Sequence, residues 1–259
     1  MLRIVLLLFI LVQGLVSVAQ ITFRKLELGK NEKYFIEGSL ILVTDTLLMA
    51  DSSEIVLNPL KKDNIINSRV TIIGKGCKIS GVGASSKKGK NGIPGIDQAG
   101  PCLTGKIGGH GTHGPKGIQG NNLTLHLTDL IINGSLTINL NGGEGGDGGD
   151  GGGGGGGGPG TKVCTGGNGG DGGHGANGGD GGEGGTLSIQ CKNCPTVRGL
   201  MNKSITVKNY GGYAGLGGNG GTSGLAGLGP KNDGVNGKRG LNGKDGLEGK
   251  NGAIKFLTN

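Results

Sequence analysis

Glycine repeated with a period of three is the feature that most restricts the fold of this chain. In the stretch GGNGGDGGHGANGGDGGEGG (166–185), glycine fills two of nearly every three positions and a polar residue fills the third. A step of three fits neither the 3.6-residue turn of an α-helix nor the two-residue alternation of a β-strand. It matches the polyproline II helix, with three residues per turn and a rise of about 3.1 Å. We therefore predict polyproline II helices with bare glycine faces and ridges of side chains, a ridge being the side-chain-bearing position of each triplet.

The same period occurs in five segments, 105–120, 142–158, 166–185, 215–227 and 234–252. Because polyproline II has no internal hydrogen bonds, its N–H and C=O groups need partners in neighbouring segments. We predict a flat bundle within one chain, with the second and third segments, which are bare on two sides, in its interior and the others at its edges. The glycines expected to permit this close packing include Gly105, Gly108, Gly111, Gly114, Gly117, Gly169, Gly172, Gly175, Gly178, Gly181, Gly237, Gly240, Gly243 and Gly246.

The ridges are expected to point away from these backbone contacts. Apolar ridge residues of the edge segments are predicted to pack on the β part of the protein; they are Ile107, Ile118, Leu216, Leu225, Leu241 and Leu247. The ridges also carry charged residues, which argue against a flat ice-binding face; they include Asp147, Asp150, Asp171, Asp180, Glu183, Lys238 and Lys244.

The rest of the chain predicts short strands. The phrase VTIIGKGCKISGVG resembles one coil of a parallel β-helix, and NLTLHLTDLIINGSLTINL (122–140) alternates apolar and polar residues as half-buried strands do. The predicted fold class is mainly β and irregular, with β-solenoid-like strands, about five polyproline II helices and no significant α-helix in the mature chain. The predicted division is a signal peptide (1–19), a β-helix-like region (20–84) and a glycine-rich bundle (85–259) with interleaved strands at 122–141, 186–191, 204–210 and 254–259.

The amino terminus is typical of a secretory signal peptide. MLRIVLLLFILVQGLVSVAQ has one Arg, a short apolar run and a small-x-Ala site, which predicts cleavage after Ala19. The run is short and interrupted for a membrane span, so stable membrane insertion is not expected. The sequence thus predicts a secreted protein, extracellular or at the cell surface.

Five cysteines suit an oxidising compartment, and their odd number leaves one thiol free or bonded to another chain. The pairing among Cys77, Cys102, Cys164, Cys191 and Cys194 stays open at this stage. The CKNC motif has neither a second CxxC nor a nearby His pair, which favours a local disulfide over a zinc or redox site.

Three known architectures resemble parts of the chain. The segment GVNGKRGLNGKDGLEGKNG resembles collagen but lacks proline, which favours an intrachain bundle and a monomer over a collagen-like trimer. GGNGGDGGH resembles the calcium-binding nonapeptide repeat, but Gly173 occupies its large apolar position. In glycine phase the chain is most similar to bundles of glycine-rich polyproline II helices, as in snow-flea-type antifreeze proteins and phage tip adhesins. That resemblance implies an architecture and transfers no binding residue.

No catalytic, cofactor or metal site is predicted. Ridge neighbours lie about 9 Å apart, too far for Asp147 and Asp150, or for His110 and His113, to share an ion. The function expected is a non-enzymatic structural or adhesion scaffold. One alternative is a glycan-binding or glycan-cleaving β-helix protein, with Asp129, Lys75 and Lys78 as thinly spread candidates; a second is an ice-binding protein, which the charged ridges disfavour.

The formal net charge of +8 makes acidic glycans or another extracellular surface plausible partners. Nucleic acid is not expected as a partner, because aromatic residues for base stacking are scarce.

Overall fold

Parallel strands form two sheets in the computed structural model, which describes residues 20–38, 41–194 and 197–257; the predicted signal peptide lies outside these ranges. Sheet A contains, in spatial order, β1 (Gln20–Leu28), β3 (Ile41–Met49), β5 (Asp63–Ile73), β7 (Asn122–Ile132), β9 (Leu187–Cys191) and β11 (Ile254–Phe256). Sheet B contains β10 (Ile205–Lys208), β8 (Leu136–Asn139), β6 (Cys77–Ser80), β4 (Glu54–Val56) and β2 (Lys33–Phe35). In the described part of the chain the single helix is α1 (Val197–Leu200). The predicted fold class, mainly β and solenoid-like, is confirmed.

The core of the solenoid is built from aligned aliphatic side chains. Parallel register stacks Leu42, Ile66, Leu125 and Ile189 across sheet A, and all four are buried. Facing them, sheet B contributes Ile55, Ile79 and Ile138 in the same way. Each buried aliphatic side chain contributes about 1.5–3 kcal/mol through removal of apolar surface from water. Alternation of apolar and polar residues in these strands is therefore what fixes the inward face of each coil.

Three corners of the solenoid extend into long hairpins of polyproline II type. After β6, β8 and β10 the chain leaves sheet B, runs out and returns to sheet A. The hairpins consist of PP1 (81–98) with PP2 (103–121), PP3 (140–160) with PP4 (166–185), and PP5 (209–229) with PP6 (232–252).

The described residues thus contain six such segments, where the sequence predicted about five. PP1 was missed because residues 84–88 lack glycine and only Gly89, Gly92 and Gly95 continue the three-residue step of Gly83.

The bundle has two layers whose ladders continue the strand registers without a break. The Gly81 N–H donates to the Asn139 carbonyl at the end of sheet B, and Gly83 then donates to Asn141 with the same offset. Further pairs follow every three residues, out to Gln98 with Gly156. PP1, PP3 and PP5 form one parallel layer in this way, and PP2, PP4 and PP6 form the other. Each layer is therefore a sheet that has changed its backbone conformation while keeping its strand order.

Between the layers, backbone touches backbone. PP3 and PP4 run antiparallel, and the Gly170 N–H donates to the Gly155 carbonyl at 2.8 Å, as Gly173 does to Gly152. Each of these two segments is also hydrogen-bonded to both neighbours in its own layer, so they lie in the interior, as predicted. Glycine fills the interior of the bundle, as leucine and isoleucine fill the core of the solenoid. Any Cβ on these faces would overlap a carbonyl of the next segment.

Side chains close the bundle at its edges. PP1 carries exposed Ile93 and Ile96 where an interior segment has glycine. At the opposite edge, the Gly217 and Gly220 N–H groups of PP5 donate to the side chains of Asp245 and Asn242 in PP6, at 2.7 and 2.8 Å. Filled edges of this kind prevent further strands from adding to the stack.

Two disulfides are formed, and they hold different parts of the chain. Cys102–Cys164 joins the tip of the first hairpin to the tip of the second, at a sequence separation of 62. Cys191–Cys194 closes a local turn after β9, and Cys77 is a buried free thiol in the solenoid core.

Candidate functional site: the two faces of the bundle

Each layer of the bundle exposes a flat face made of ridge residues in register. On the face formed by PP2, PP4 and PP6, called here the even face, three ridges run side by side. They comprise Thr104, Ile107, His110, His113, Lys116 and Gln119 in PP2, Asn168, Asp171, His174, Asn177, Asp180 and Glu183 in PP4, and Val235, Lys238, Leu241, Lys244, Leu247 and Lys250 in PP6. Lys and apolar residues alternate strictly along PP6, so the outer ridge of this face offers a positive charge and an apolar side chain in turn.

Ridge side chains bind the neighbouring backbone, which the sequence did not predict. Asp171 Oδ1 accepts the Lys238 N–H at 2.7 Å, and Asn177 and Asp180 accept the N–H groups of Lys244 and Leu247 at 2.9 Å. The expectation that ridges point away from the contacts is therefore wrong. The third N–H of each triplet has no carbonyl partner in this packing, and a short acceptor side chain, where one lies opposite in the next segment, accepts it.

The opposite face, formed by PP1, PP3 and PP5 and called here the odd face, repeats this ladder over half its length. Asp147 and Asp150 accept the N–H groups of Leu216 and Asn219, both at 2.8 Å. Beyond Asp150 the corresponding positions are Gly153 and Gly156, which have no side chain to offer the N–H groups of Thr222 and Leu225. In the outer half of this face the PP3 ridge is consequently bare, between Asp97 of PP1 and Thr222 and Leu225 of PP5.

One carboxyl of the odd face is electrostatically distinct. A hydrogen bond from Lys88 Nζ to Asp150 Oδ2 at 2.6 Å, helped by the Asn219 N–H, holds the pKa of Asp150 below its ordinary value. The pair is partly exposed, with 47% of the Lys88 and 32% of the Asp150 side chain accessible, so solvent screens it.

We expect Asp150→Asn to remove the acid sensitivity that this pair confers. Because the folded pKa lies below the unfolded value of about 4, the stabilisation is present above pH 4 and is lost as the pH falls through the folded pKa. The amide oxygen still accepts the Asn219 N–H, so the ladder stays intact. In urea unfolding, the native protein should have a higher free energy of unfolding than the variant at pH 6, and this difference should be smaller at pH 3. An equal difference at both pH values would contradict this assignment.

Histidines take the same structural role as Asp and Asn on the even face. His110 Nδ1 accepts the His174 N–H at 2.8 Å, and His174 Nδ1 in turn accepts the Leu241 N–H at 2.9 Å. The two imidazoles stack with centroids 4.9 Å apart and planes 12° from parallel. His113 Nδ1 accepts the Asn177 N–H at 3.2 Å. An acceptor Nδ1 in a neutral imidazole assigns the proton to Nε2, so these rings present Nε2–H outward.

Apolar ridge residues do not pack on the β part, contrary to the prediction. Ile107, Leu216 and Leu241 are 63–70% exposed, and Ile118, Leu225 and Leu247 are exposed as well. The hairpins project away from the solenoid in line with its sheets, so their outer ridges have no β surface to cover. Both faces of the bundle therefore display isolated apolar side chains to solvent.

The candidates for glycan cleavage lie in different elements. Asp129 belongs to β7 of sheet A, Lys78 to β6 of sheet B, and Lys75 to the turn that precedes β6. Asp129 Oδ1 accepts a hydrogen bond from Asn193 Nδ2 at 2.8 Å. Within the described ranges, no three His, Cys, Asp or Glu residues come together as metal ligands.

Sheet A bears a cleft on its surface that is lined mainly by polar residues. It has a volume of about 540 Å³ and is open to solvent. Arg69 Nη2 and Asp45 Oδ2 are 3.0 Å apart at its edge, and the Arg69 hydrogen bond lowers the pKa of the Asp45 carboxyl. His126 Nδ1 lies 2.7 Å from Gln190 Oε1 on the same surface. These groups satisfy one another.

Across residues 20–38, 41–194 and 197–257, no helix has the length and apolar character needed to cross a bilayer.

Comparison with known proteins yields little. No family model and no curated protein matches the sequence. Among solved structures, the nine-helix polyproline type II bundle of the springtail antifreeze protein from Granisotoma rainieri aligns at 24% identity over 62% of this chain and 92% of that protein, with a TM-score of 0.11. A similarity of that size supports no conclusion about this chain.

Proposed function

We propose that this chain is a secreted, non-enzymatic structural or adhesion protein, whose bundle is a rigid slab that holds side chains in fixed rows. The observation that carries the proposal is the double ladder of the bundle. Each interior segment is hydrogen-bonded within its layer and across to the other layer, and the ridge side chains take up further N–H groups. A framework bonded in this way keeps its surface side chains at constant spacing, which suits binding to an extended or repetitive partner.

Export and acidic glycan partners belong to the same proposal. A signal-peptide-like start, two disulfides and the net charge of +8 favour an extracellular setting and an anionic surface. We infer that the chain shares the architecture of glycine-rich polyproline II bundles. This resemblance supports the scaffold function through the geometry of the bundle, and it transfers no binding residue.

Retention without turnover is the result expected of such a scaffold. The purified chain, coupled to beads, should retain soluble acidic polysaccharides while releasing no new reducing ends, and it should leave ester and peptide substrates unchanged. Heat-unfolded protein on the same beads is the control for charge alone, because unfolding keeps the charge and destroys the rows. Product release proportional to time and protein would overturn the non-enzymatic assignment, and equal retention by unfolded protein would overturn the role of the slab.

A further inference from the structure

The even face carries a compact array of hydrogen-bond donors. His110 and His174 form one row, and His113 and Asn177 form the next, three residues further along PP2 and PP4. In each of the three histidines the inward Nδ1 accepts a backbone N–H, which leaves Nε2–H on the outside. Asn177 likewise turns Oδ1 inward to the Lys244 N–H, which leaves its NH₂ group outward. The ladder thus sorts the polar atoms of these residues, with acceptors inside and donors outside.

This sorting argues against a metal site in the array. A neutral imidazole has one acceptor nitrogen, and here Nδ1 uses it to hold a backbone N–H. Nε2 then bears a proton and has no lone pair for a cation. A ligand for these rings must accept hydrogen bonds.

The residues around the array restrict the class of ligand further. Beside the first row lies a depression of about 330 Å³ whose side chains are Ile107, Asp171, Lys238, Arg239 and Leu241 as well as the two stacked rings. Leu241 and Ile107 are both 70% exposed and offer apolar contact. Beyond the depression, Lys244 adds a positive charge next to Asn177, whereas Asp171 repels an anion from the other end.

From this arrangement we infer that the array binds an acidic glycan, with a carboxylate or sulfate group over His113, Asn177 and Lys244 and a sugar ring against Leu241. The two donor rows lie about 9 Å apart along the segments, which suits a polymer with repeated acceptor groups better than a small isolated anion. Charge-assisted hydrogen bonds to such groups are the strong ones. The inference rests on the scaffold function proposed above and assigns its acidic glycan partner to this array.

The test measures binding of the full chain to defined oligosaccharides by calorimetry at constant salt and pH 7.5. The probes are a sulfated heparin oligosaccharide, a galacturonate oligosaccharide and neutral dextran. Native protein should bind at least one acidic probe and not dextran; binding of only one identifies sulfate or carboxylate as the group recognised. The absence of binding to both acidic probes, or equal binding to dextran, would overturn the inference. The scaffold proposal would still be judged separately, by retention of long acidic polysaccharides on the bead-coupled chain and by the absence of turnover.

A double variant, His110→Asp with His174→Asp, isolates the array. Each Asp Oδ1 can accept the backbone N–H that the imidazole Nδ1 accepts in the native protein, as Asp171 accepts that of Lys238. The ladder therefore persists while the outward donors become acceptors. We expect binding to weaken at least about tenfold. The matched control is Asn91→Asp with Asn219→Asp, which adds the same charge to the odd face and should change affinity less than about twofold. Equal losses in both variants would mean that net charge alone governs binding.

Lys244→Gln keeps the test decisive if the histidine variant unfolds. The exposed Lys244 side chain takes no part in the ladder, because only its backbone N–H donates to Asn177. Affinity should fall about threefold relative to Lys231→Gln at the hairpin tip, as expected for loss of one exposed charge. Identical affinities of the two lysine variants would contradict the location of the site.

Discussion

Replacing Gly157 with alanine should lower the free energy of unfolding by about 3 kcal/mol, whereas the same change at the adjacent Gly156 should leave the protein as stable as before or slightly more so. A Cβ at Gly157 would overlap the carbonyl oxygen of Gly167 in the facing layer, and backbone cannot move aside there without breaking its neighbours' hydrogen bonds. A Cβ at Gly156 would have the Asp97 side chain, at 3.4 Å, as its nearest neighbour. Because alanine lowers the conformational entropy of the unfolded chain, the Gly156 variant should be more stable than the native protein by about 0.5 kcal/mol.

Thermal unfolding followed by circular dichroism is the measurement that separates these two variants. The pair is well matched, because both positions lie in one run of eight glycines and the substitutions are chemically identical. Gly156→Asn extends the test, since its Oδ1 would be placed to accept the Leu225 N–H as Asp150 accepts that of Asn219. That variant should gain about 1 kcal/mol. Similar melting temperatures for Gly156→Ala and Gly157→Ala would mean that the bare faces of PP3 do not pack as described.

Loss of the Cys102–Cys164 disulfide should be the second large effect. The bond closes a loop of 62 residues between two hairpin tips. By the chain-entropy relation, such a cross-link stabilises the native state by about 4 kcal/mol through restriction of the unfolded chain. The Cys102→Ala, Cys164→Ala double variant should therefore melt well below the native protein while still folding, since the ladders of PP1 to PP4 do not depend on the bond.

Cys191→Ala with Cys194→Ala is the matched control for that experiment. Its sequence separation is 3, so the same relation gives about 1.6 kcal/mol. The difference between the two double variants reports loop length, because each removes one disulfide and two sulfur atoms. A larger loss from the Cys191–Cys194 pair would show that the hairpin tips are held together by something other than the long-range bond.

Several features of the fold were predictable because each depends on a short repeat of residue types along the sequence. Steps of two in 122–140 specified strands, and steps of three in 166–185 specified polyproline II helices. The number of glycines per triplet even specified neighbours, since a bare side is needed for each close contact. The double-glycine segments could thus be assigned to the interior of the bundle.

PP1 and the role of the ridges were not predictable in the same way. An edge segment needs few glycines, so PP1 shows its period only at Gly89, Gly92 and Gly95. The ridge ladder depends on which side chain lies opposite which N–H, a register that joins residues such as His110 and His174. The sequence places the ridges away from the contacts because a sequence period reveals spacing along a segment and nothing about alignment between segments.

By itself the sequence determined which stretches are extended, with what period, and which of their sides are bare, because those properties depend on each residue and its near neighbours. Only the tertiary structure decided how the hairpins align. The strand registers of the solenoid set the offset of every polyproline II segment, and that offset brings acceptor side chains to unpaired N–H groups. The donor array of His110, His113, His174 and Asn177 exists because of that alignment, since these residues come from two hairpins whose relative position no local pattern encodes.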